Sequence, residues 1–175
     1  MLKIIAIFSI LYGVLITGCS NQSGRDDFIA GVEAGKAGDN SKATKLYQAS
    51  CDQGNVAGCF NTGVAYDRGI GVKENHALAA TLYEKACEDK LGFACQNLAI
   101  LYRTGNGVKN SYFRAREYDE KGCDSDVGAS CYNVGVAYNI GQAARQDKTK
   151  AKEYFEKACN LEYEDGCSAY ANLNN

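Results

Sequence analysis

The chain has 175 residues, with 19 basic and 21 acidic side chains, a formal net charge of −2, nine cysteines, one histidine and no proline. A nearly balanced charge without a basic run excludes the electrostatic footprint of a nucleic-acid-binding protein. A single histidine excludes a metal centre built from several imidazoles. Because proline is absent, nothing in the chain interrupts helices, and composition permits a wholly helical protein.

The N-terminus has the pattern of a bacterial export signal. Lys3 supplies a positive charge, and the mostly apolar stretch 4–16 is shorter than the roughly 20 residues that a membrane-spanning helix needs. The residues that follow, Ile16-Thr17-Gly18-Cys19, resemble a lipobox, in which cleavage before the cysteine is followed by its lipidation. We therefore expect a lipoprotein signal peptide over residues 1–18, lipidation of Cys19 and a polar tether over residues 19–25.

These features predict an exported lipoprotein of a Gram-negative bacterium. Ser20 follows the cysteine, and by resemblance to enteric lipoproteins this residue directs the protein to the outer membrane. The prediction is therefore an outer-membrane or periplasmic lipoprotein. An ordinary secretory signal, with Cys19 incidental and the protein secreted, is the alternative.

The other eight cysteines recur with a period of 36 residues, which identifies a tandem repeat. Each first cysteine is followed eight positions later by a second, which gives the pairs Cys51 and Cys59, Cys87 and Cys95, Cys123 and Cys131, and Cys159 and Cys167. We expect one disulfide in each repeat. Zinc binding is the alternative, but there is no C-x-x-C motif and the pairs are spread along the chain. We therefore expect no metal and no cofactor.

Alignment on this period predicts two helices in each repeat, with repeat boundaries at 41–76, 77–112, 113–148 and 149–175. One column holds only good N-caps: Asp39, Asn75, Ser111 and Asp147. Each precedes a stripe of apolar residues at helical spacing. A second helix follows the second cysteine of each pair, and a glycine ends it in three copies: Gly69, Gly105 and Gly141.

Two further features complete the pattern of helices. The stretch Asp26 to Ala34 resembles the second helix that is missing before the first N-cap. The third loop, Gly141 to Ala144, lacks the second glycine of Gly-x-Gly-Val, which leaves room for a different loop there. Because a helix hairpin cannot bury its apolar stripe alone, neighbouring hairpins must stack, which predicts an all-α repeat domain over residues 26–175.

The repeats resemble the Sel-one-like repeat family, relatives of the tetratricopeptide repeats. The resemblance is carried by the segments Gly58-Cys59-Phe60-Asn61-Thr62-Gly63-Val64-Ala65-Tyr66, Gly69-x-Gly71-Val72 and Ala80-Thr81-Leu82-Tyr83-Glu84-Lys85-Ala86-Cys87. The cysteine spacing resembles the Helicobacter cysteine-rich proteins and their epsilonproteobacterial relatives. The resemblance implies an all-α fold, an α/α right-handed superhelix (solenoid). It also implies penicillin binding with weak β-lactamase activity, and secretion with host recognition.

The sequence identifies no catalytic residue for such an activity. A serine β-lactamase needs a serine with a lysine one helical turn later, and no Ser-x-x-Lys occurs in the chain. The Ser-Asp-Asn element, a P-loop and a Gly-x-Ser-x-Gly elbow are also missing from the sequence. If the chain is an enzyme, only the resemblance implies that it is a β-lactamase.

A repeated amide marks the candidate binding site instead. Asn61, Asn97 and Asn133 share one column of the second helix, away from its core stripe. With their neighbours they form the predicted groove residues: Asn61, Asn97, Asn133, Val64, Ile100, Val136, Arg68 and Phe93. Such amides either bind the backbone of an extended ligand or bond locally between repeats.

The expected function is therefore binding through a concave groove by a monomeric, membrane-anchored protein. The ligand is a protein, a peptide or a peptidoglycan fragment. A weak penicillin-binding hydrolase and a passive assembly scaffold in the envelope are the alternatives.

Overall fold

The computed structural model describes residues 22–173, which are all-helical, without a strand in that range. Helix α1 covers residues 22–36 of the described chain. The later helices are α2 (Asn40–Asp52), α3 (Val56–Arg68), α4 (His76–Glu88), α5 (Gly92–Thr104), α6 (Tyr112–Asp124), α7 (Gly128–Ile140), α8 (Lys148–Asn160) and α9 (Glu164–Asn172). The described residues form two compact units, which are divided between Glu74 and Asn75. The described helices α1–α3 belong to the first unit and α4–α9 to the second.

The first helix of every hairpin begins at the predicted N-cap. The cap side chain accepts a hydrogen bond from the backbone N–H three residues later, at 3.0–3.2 Å, in Asp39, Asn75, Ser111 and Asp147. Each bond satisfies one of the N–H groups that the start of a helix leaves unpaired, and each cap stabilises its helix by about 1 kcal/mol. The prediction of four equivalent helix starts is confirmed.

The second helix of three hairpins ends at the predicted glycine. Gly69, Gly105 and Gly141 have left-handed backbones, with φ of 66°, 79° and 75°. In each, the N–H donates to the carbonyl oxygen four residues earlier, which closes the helix.

The third loop keeps the turn that the other loops make with a second glycine. Gly71 and Gly107 have φ of 70° and 69°, and the equivalent Ala143 has φ of 60°. The carbonyl oxygen of Ala143 accepts a hydrogen bond from Arg116 Nε at 3.1 Å. This bond helps to hold an alanine in a conformation that normally favours glycine. The different loop that the sequence left open is therefore not observed.

The eight cysteines form the four expected disulfides. Each bond joins the end of one helix to the start of the next, and the sulfur atoms lie 2.01–2.08 Å apart in Cys51–Cys59, Cys87–Cys95, Cys123–Cys131 and Cys159–Cys167. The bridges therefore close the tight turns inside the hairpins α2–α3, α4–α5, α6–α7 and α8–α9.

Small residues let helices from neighbouring hairpins pack closely. In the second unit, a Cβ at Gly135 on α7 would lie 2.6 Å from the ring of Phe155 on α8. In the first unit, a Cβ at Gly31 on α1 would lie 2.7 Å from the ring of Tyr47 on α2. Gly31 thus has the packing role of Gly135, which confirms that α1 is a second-type helix preceding the first N-cap.

The packed fold begins earlier than residue 26. Residues 22–25 are helical, and the carbonyl oxygen of Gly24 accepts a hydrogen bond from the buried hydroxyl of Ser50 at 2.5 Å. Part of the stretch assigned to the tether is therefore built into α1. The predicted signal peptide, Cys19 and Ser20 lie outside the described residues. Within residues 22–173, every helix is too short or too polar to traverse a bilayer.

Candidate functional site

The predicted amides occupy equivalent positions on three second-type helices. Asn61 lies on α3 in the first unit, and Asn97 and Asn133 lie on α5 and α7 in the second unit; all three are half-buried. On α5, the neighbouring Phe93 and Ile100 have 59% and 43% of their surface exposed. Phe93, Asn97 and Ile100 form a stripe on α5, which is open to solvent as a binding surface requires.

The other groove residues flank these amides. Val64 and Val136 are half-buried one turn after Asn61 and Asn133, and Arg68 is exposed at the end of α3. Within each unit the structure thus places an amide and a valine side by side on one helix.

Two clefts of the same construction contain these amides. The first-repeat cleft, about 170 Å³, is lined by Gly35, Asn40, Ala43, Thr44, Tyr47, Asn61, Val64, Ala65 and Ile70. The third-repeat cleft, about 120 Å³, is lined by Arg103, Tyr112, Ala115, Arg116, Asp119, Asn133, Val136, Ala137, Gln142 and Ala143. Eight positions of the first cleft recur two sequence periods later in the second. The cleft is therefore a product of the hairpin geometry.

The two clefts differ in charge. The lining of the first-repeat cleft is neutral, with Thr44 and Tyr47 on its α2 side. In the third-repeat cleft the same positions hold Arg116 and Asp119, and Arg103 enters from α5. Two clefts of the same shape therefore have different linings, one neutral and one with charged side chains.

Asp119 forms the floor of the third-repeat cleft and is only 1% exposed. Its Oδ2 lies 2.7 Å from Nη1 of Arg103, and its Oδ1 accepts a hydrogen bond from Nδ2 of Asn133 at 3.2 Å. Burial raises the pKa of this carboxyl above its usual value, although the Arg103 guanidinium opposes that rise. Asn133 is thus bonded locally within its own repeat and also lines the cleft.

An acid at this position departs from the packing pattern. The same column holds Tyr47, Tyr83 and Phe155 in the other repeats, and Tyr83 and Phe155 are almost completely buried. A buried ion pair is weak evidence for stability, because desolvation of two charges offsets their attraction. The charged group in place of an aromatic ring therefore indicates a role other than core packing.

Arg116 is held on several sides. Its Nη1 pairs with Glu120, its Nε bonds the carbonyl oxygen of Ala143, and its guanidinium lies 5.4 Å and 5.9 Å from the ring centroids of Phe113 and Tyr138. The side chain is 14% exposed. Its orientation towards the cleft is therefore set before any ligand arrives.

The residues predicted from the sequence do not include Arg103, Arg116 and Asp119. The signal that identifies Asp119 is a single acid in a column of aromatic residues, visible once the repeats are aligned. Arg103 lies 16 residues from its partner on another helix, so its role has no local signature.

Among the described residues, no three of His, Cys, Asp and Glu are grouped so that they could hold a metal ion.

Four consecutive segments of the chain, residues 30–55, 56–90, 92–127 and 128–163, match the Sel1 repeat model. The chain belongs to the Sel1 repeat family. Along the chain, each Sel1 segment contains a second-type helix and the first-type helix that follows, so the family's unit is offset from the hairpins that the cysteines define. In Sel1 terms, Arg103, Arg116 and Asp119 belong to the third segment and Asn133 to the fourth.

Solved structures of Sel1 proteins share the fold. A Sel1 repeat protein from Oxalobacter formigenes is 23% identical with a TM-score of 0.76, over 83% of this chain and 58% of that one. A protective antigen present in uropathogenic Escherichia coli strains, which displays an SLR fold, is 25% identical with a TM-score of 0.75, over 88% of this chain and 32% of that one. Cysteine-rich protein B of Helicobacter pylori is 28% identical with a TM-score of 0.60, over 74% of this chain and 93% of that one.

These comparisons confirm the all-α solenoid class and the resemblance to Helicobacter cysteine-rich proteins. The chain spans 58% and 32% of the first two proteins, so their whole-protein properties do not transfer to it. No curated protein matches the chain.

Proposed function

We propose that this Sel1 repeat protein is an exported binding protein that recognises extended peptide segments of a partner, in the first unit through the first-repeat cleft and in the second unit through the third-repeat cleft and the exposed stripe of α5. The observation that carries the proposal is the recurrence of one cleft, with an asparagine in its lining, at Asn61 and again at Asn133. An amide offers both a donor and an acceptor, so it can bond a peptide backbone whatever the side chains are.

The exposed stripe on α5 supports the same function. Phe93 and Ile100 present apolar surface beside Asn97. A peptide that lies along the helix would cover both apolar side chains and bond the amide between them. Aromatic and aliphatic anchors of this kind supply most of the binding free energy in peptide interfaces, while polar groups set orientation.

Export is supported by the four disulfides. Disulfides persist in oxidising compartments outside the cytoplasm, and the similar cysteine-rich protein B comes from a bacterium, Helicobacter pylori. The proposal adds attachment to the envelope through a lipid on Cys19, on the periplasmic or outer face. A thioether-linked diacylglycerol together with an N-linked acyl chain holds a protein on a membrane better than a single acyl chain does.

The binding proposal is tested with an array of immobilised peptides and three substitutions together, Asn61→Ala, Asn97→Ala and Asn133→Ala. We expect the wild type to capture a subset of peptides and the folded triple variant to lose that capture, with a melting temperature lowered only by the loss of the hydrogen bond from Asn133 to the buried Asp119. Asn160→Ala, an exposed amide at the end of α8, is the matched control and should bind as the wild type does. Retained capture by a folded triple variant would refute the proposal, as would an array on which the wild type binds nothing.

The anchor is tested separately. Cys19→Ala in the full chain should move the protein from the detergent phase to the aqueous phase on phase separation. If the variant still partitions into detergent, the attachment does not depend on Cys19.

The hydrolase alternative is not proposed. No arrangement of side chains in the described residues favours it, and the comparisons do not concern that reaction.

A further inference from the structure

We propose that the third-repeat cleft binds the carboxylate of an acidic residue in the peptide ligand, with Arg103 and Arg116 as the donors. This inference rests on the proposed function and names the chemistry that one of its two clefts selects.

The hydrogen-bond donors of the lining favour an anion. Two guanidinium groups and one carboxylate line the cleft, and the carboxylate oxygens of Asp119 are already bonded to Arg103 and Asn133. Asp119 is almost fully buried, whereas 30% of the Arg103 side chain is exposed. Glu120 is 29% exposed and offsets the charge of Arg116, with which it pairs. An arriving ligand therefore meets mainly the N–H donors of the two guanidinium groups that these carboxylates leave unused.

Both arginines are oriented in advance. Asp119 holds Arg103 at one guanidinium nitrogen, which leaves the other N–H groups of its planar fork for a second acceptor. Glu120, the carbonyl oxygen of Ala143 and two aromatic rings hold Arg116. A carboxylate accepts two parallel bonds from such a fork, and a donor that is already fixed loses little conformational entropy on binding.

Asp119 is therefore a positioning residue. An aromatic ring at this column, as in Tyr83 and Phe155, would pack the core but leave Arg103 without its buried partner. Asp119 packs the core less well than a ring would, but it fixes the orientation of the Arg103 guanidinium. This orientation explains why a buried charge occupies an aromatic column.

The size of the cleft suits a small ligand group. The cleft is open to solvent, and its volume of about 120 Å³ leaves room for such a group. A carboxylate with one or two methylene groups fits this space, as in an aspartate or glutamate side chain.

The exposed stripe on α5 sets the spacing of a second contact. Phe93 precedes Arg103 by ten residues on the helix, a rise of about 15 Å at roughly 1.5 Å per residue. An extended peptide covers about 3.3 Å per residue, so a peptide along α5 reaches from Phe93 to Arg103 in four or five residues. The ligand should therefore carry an apolar residue four or five positions from its acidic residue.

The probe is a blocked peptide of Gly and Ser with one Leu and one Glu four positions apart, and the control peptide carries Gln for Glu. Titration of the nitrogen-15-labelled full-length protein, up to about 1 mM peptide, is followed by the Nε–Hε signals of the arginines and by the backbone amides. We expect shifts at Arg103, Arg116 and Asn133, none in the first-repeat cleft, and binding of the Glu peptide that is about tenfold tighter than that of the Gln peptide.

Three variants separate the donors from general charge. Arg103→Gln and Arg116→Gln should each remove the preference for Glu over Gln, and Arg145→Gln, an exposed arginine outside the cleft, should retain it. If Arg103→Gln is unstable because Asp119 loses its partner, the double variant Arg103→Gln with Asp119→Asn removes both charges and should also show no preference.

Contrary outcomes are distinct for the two proposals. Equal binding of the Glu and Gln peptides, still lost in the triple asparagine variant, would overturn the carboxylate inference and leave peptide binding intact. Absence of binding by either peptide would overturn the carboxylate inference, and the same absence together with an array on which the wild type captures nothing would overturn both. Displacement of the Glu peptide by acetate at the same concentration would reduce the site to an adventitious anion site. If a peptidoglycan digest displaces the Glu peptide at a lower concentration, the occupant of the third-repeat cleft is a peptidoglycan fragment and not a peptide.

Discussion

Removal of the disulfide in the middle of the second unit should destabilise the protein more than removal of the disulfide at its end. The variants are Cys123→Ala with Cys131→Ala, and Cys159→Ala with Cys167→Ala. Both bridges join cysteines eight residues apart. Cys123 and Cys131 are completely buried and pack against Ala158, Tyr132, Tyr154, Leu161 and Tyr163, whereas Cys159 and Cys167 are half-buried.

The expected magnitudes follow from loop closure and burial. For loops of this length the chain-entropy model gives about 2.5 kcal/mol of stability for each bridge. This contribution is the same for both pairs and cancels in the comparison. Loss of two buried sulfur atoms at the central site costs about 1 kcal/mol more for each, because the surrounding side chains collapse only partly into the space. The central variant should therefore lose about 4–5 kcal/mol and the terminal variant about 2–3 kcal/mol.

The assay is urea unfolding of the wild type and both variants, followed by circular dichroism. Equal slopes with shifted midpoints would mean that stability alone has changed. A difference of about 2 kcal/mol corresponds to roughly 10 °C in melting temperature for a unit of this size. If the terminal pair proves to be worth as much as the central pair, burial of the sulfur atoms contributes nothing measurable. If neither variant shifts the midpoint, the bridges do not stabilise the fold.

Three smaller predictions test the turns, the caps and the buried acid. Gly107→Ala should lower the free energy of unfolding by about 2 kcal/mol or more, because φ is 69° there and a Cβ would lie 2.3 Å from a backbone nitrogen. Ala143→Gly, at φ 60°, should keep the free energy of unfolding within about 1 kcal/mol of the wild type. Equal losses at both sites would contradict this account. Ser111→Ala should lower the free energy of unfolding by about 1 kcal/mol through the lost cap of α6, and no change in urea midpoint would count against the cap. For Asp119, a folded-state pKa above the usual 3.8 means that the folded protein binds the proton more readily than the unfolded chain. Wild-type stability relative to Asp119→Asn should therefore be greatest below pH 3.8 and should fall as the pH rises through the raised pKa; a rise over that range in paired unfolding titrations would show that the Arg103 ion pair outweighs burial.

The sequence was sufficient for the features whose partners lie close along the chain. The caps at Asp39 and Ser111, the glycine ends and the disulfides each depend on residues within eight positions of one another. The repeat made these signals reliable, because each occurred three or four times in one column. It also located the asparagine column that both clefts contain.

Only the tertiary structure decided how the clefts differ. Arg103 and Asp119 lie on different helices, 16 residues apart, and neither residue type nor spacing indicates that their charges meet below the surface. The turn at Ala143 could not be predicted from the sequence either. A hydrogen bond from Arg116 on α6 supports a positive-φ backbone conformation that the local sequence does not favour. Local geometry follows from neighbours in the chain, whereas burial, ion pairing and cleft chemistry depend on which side chains the packing of separate helices brings together.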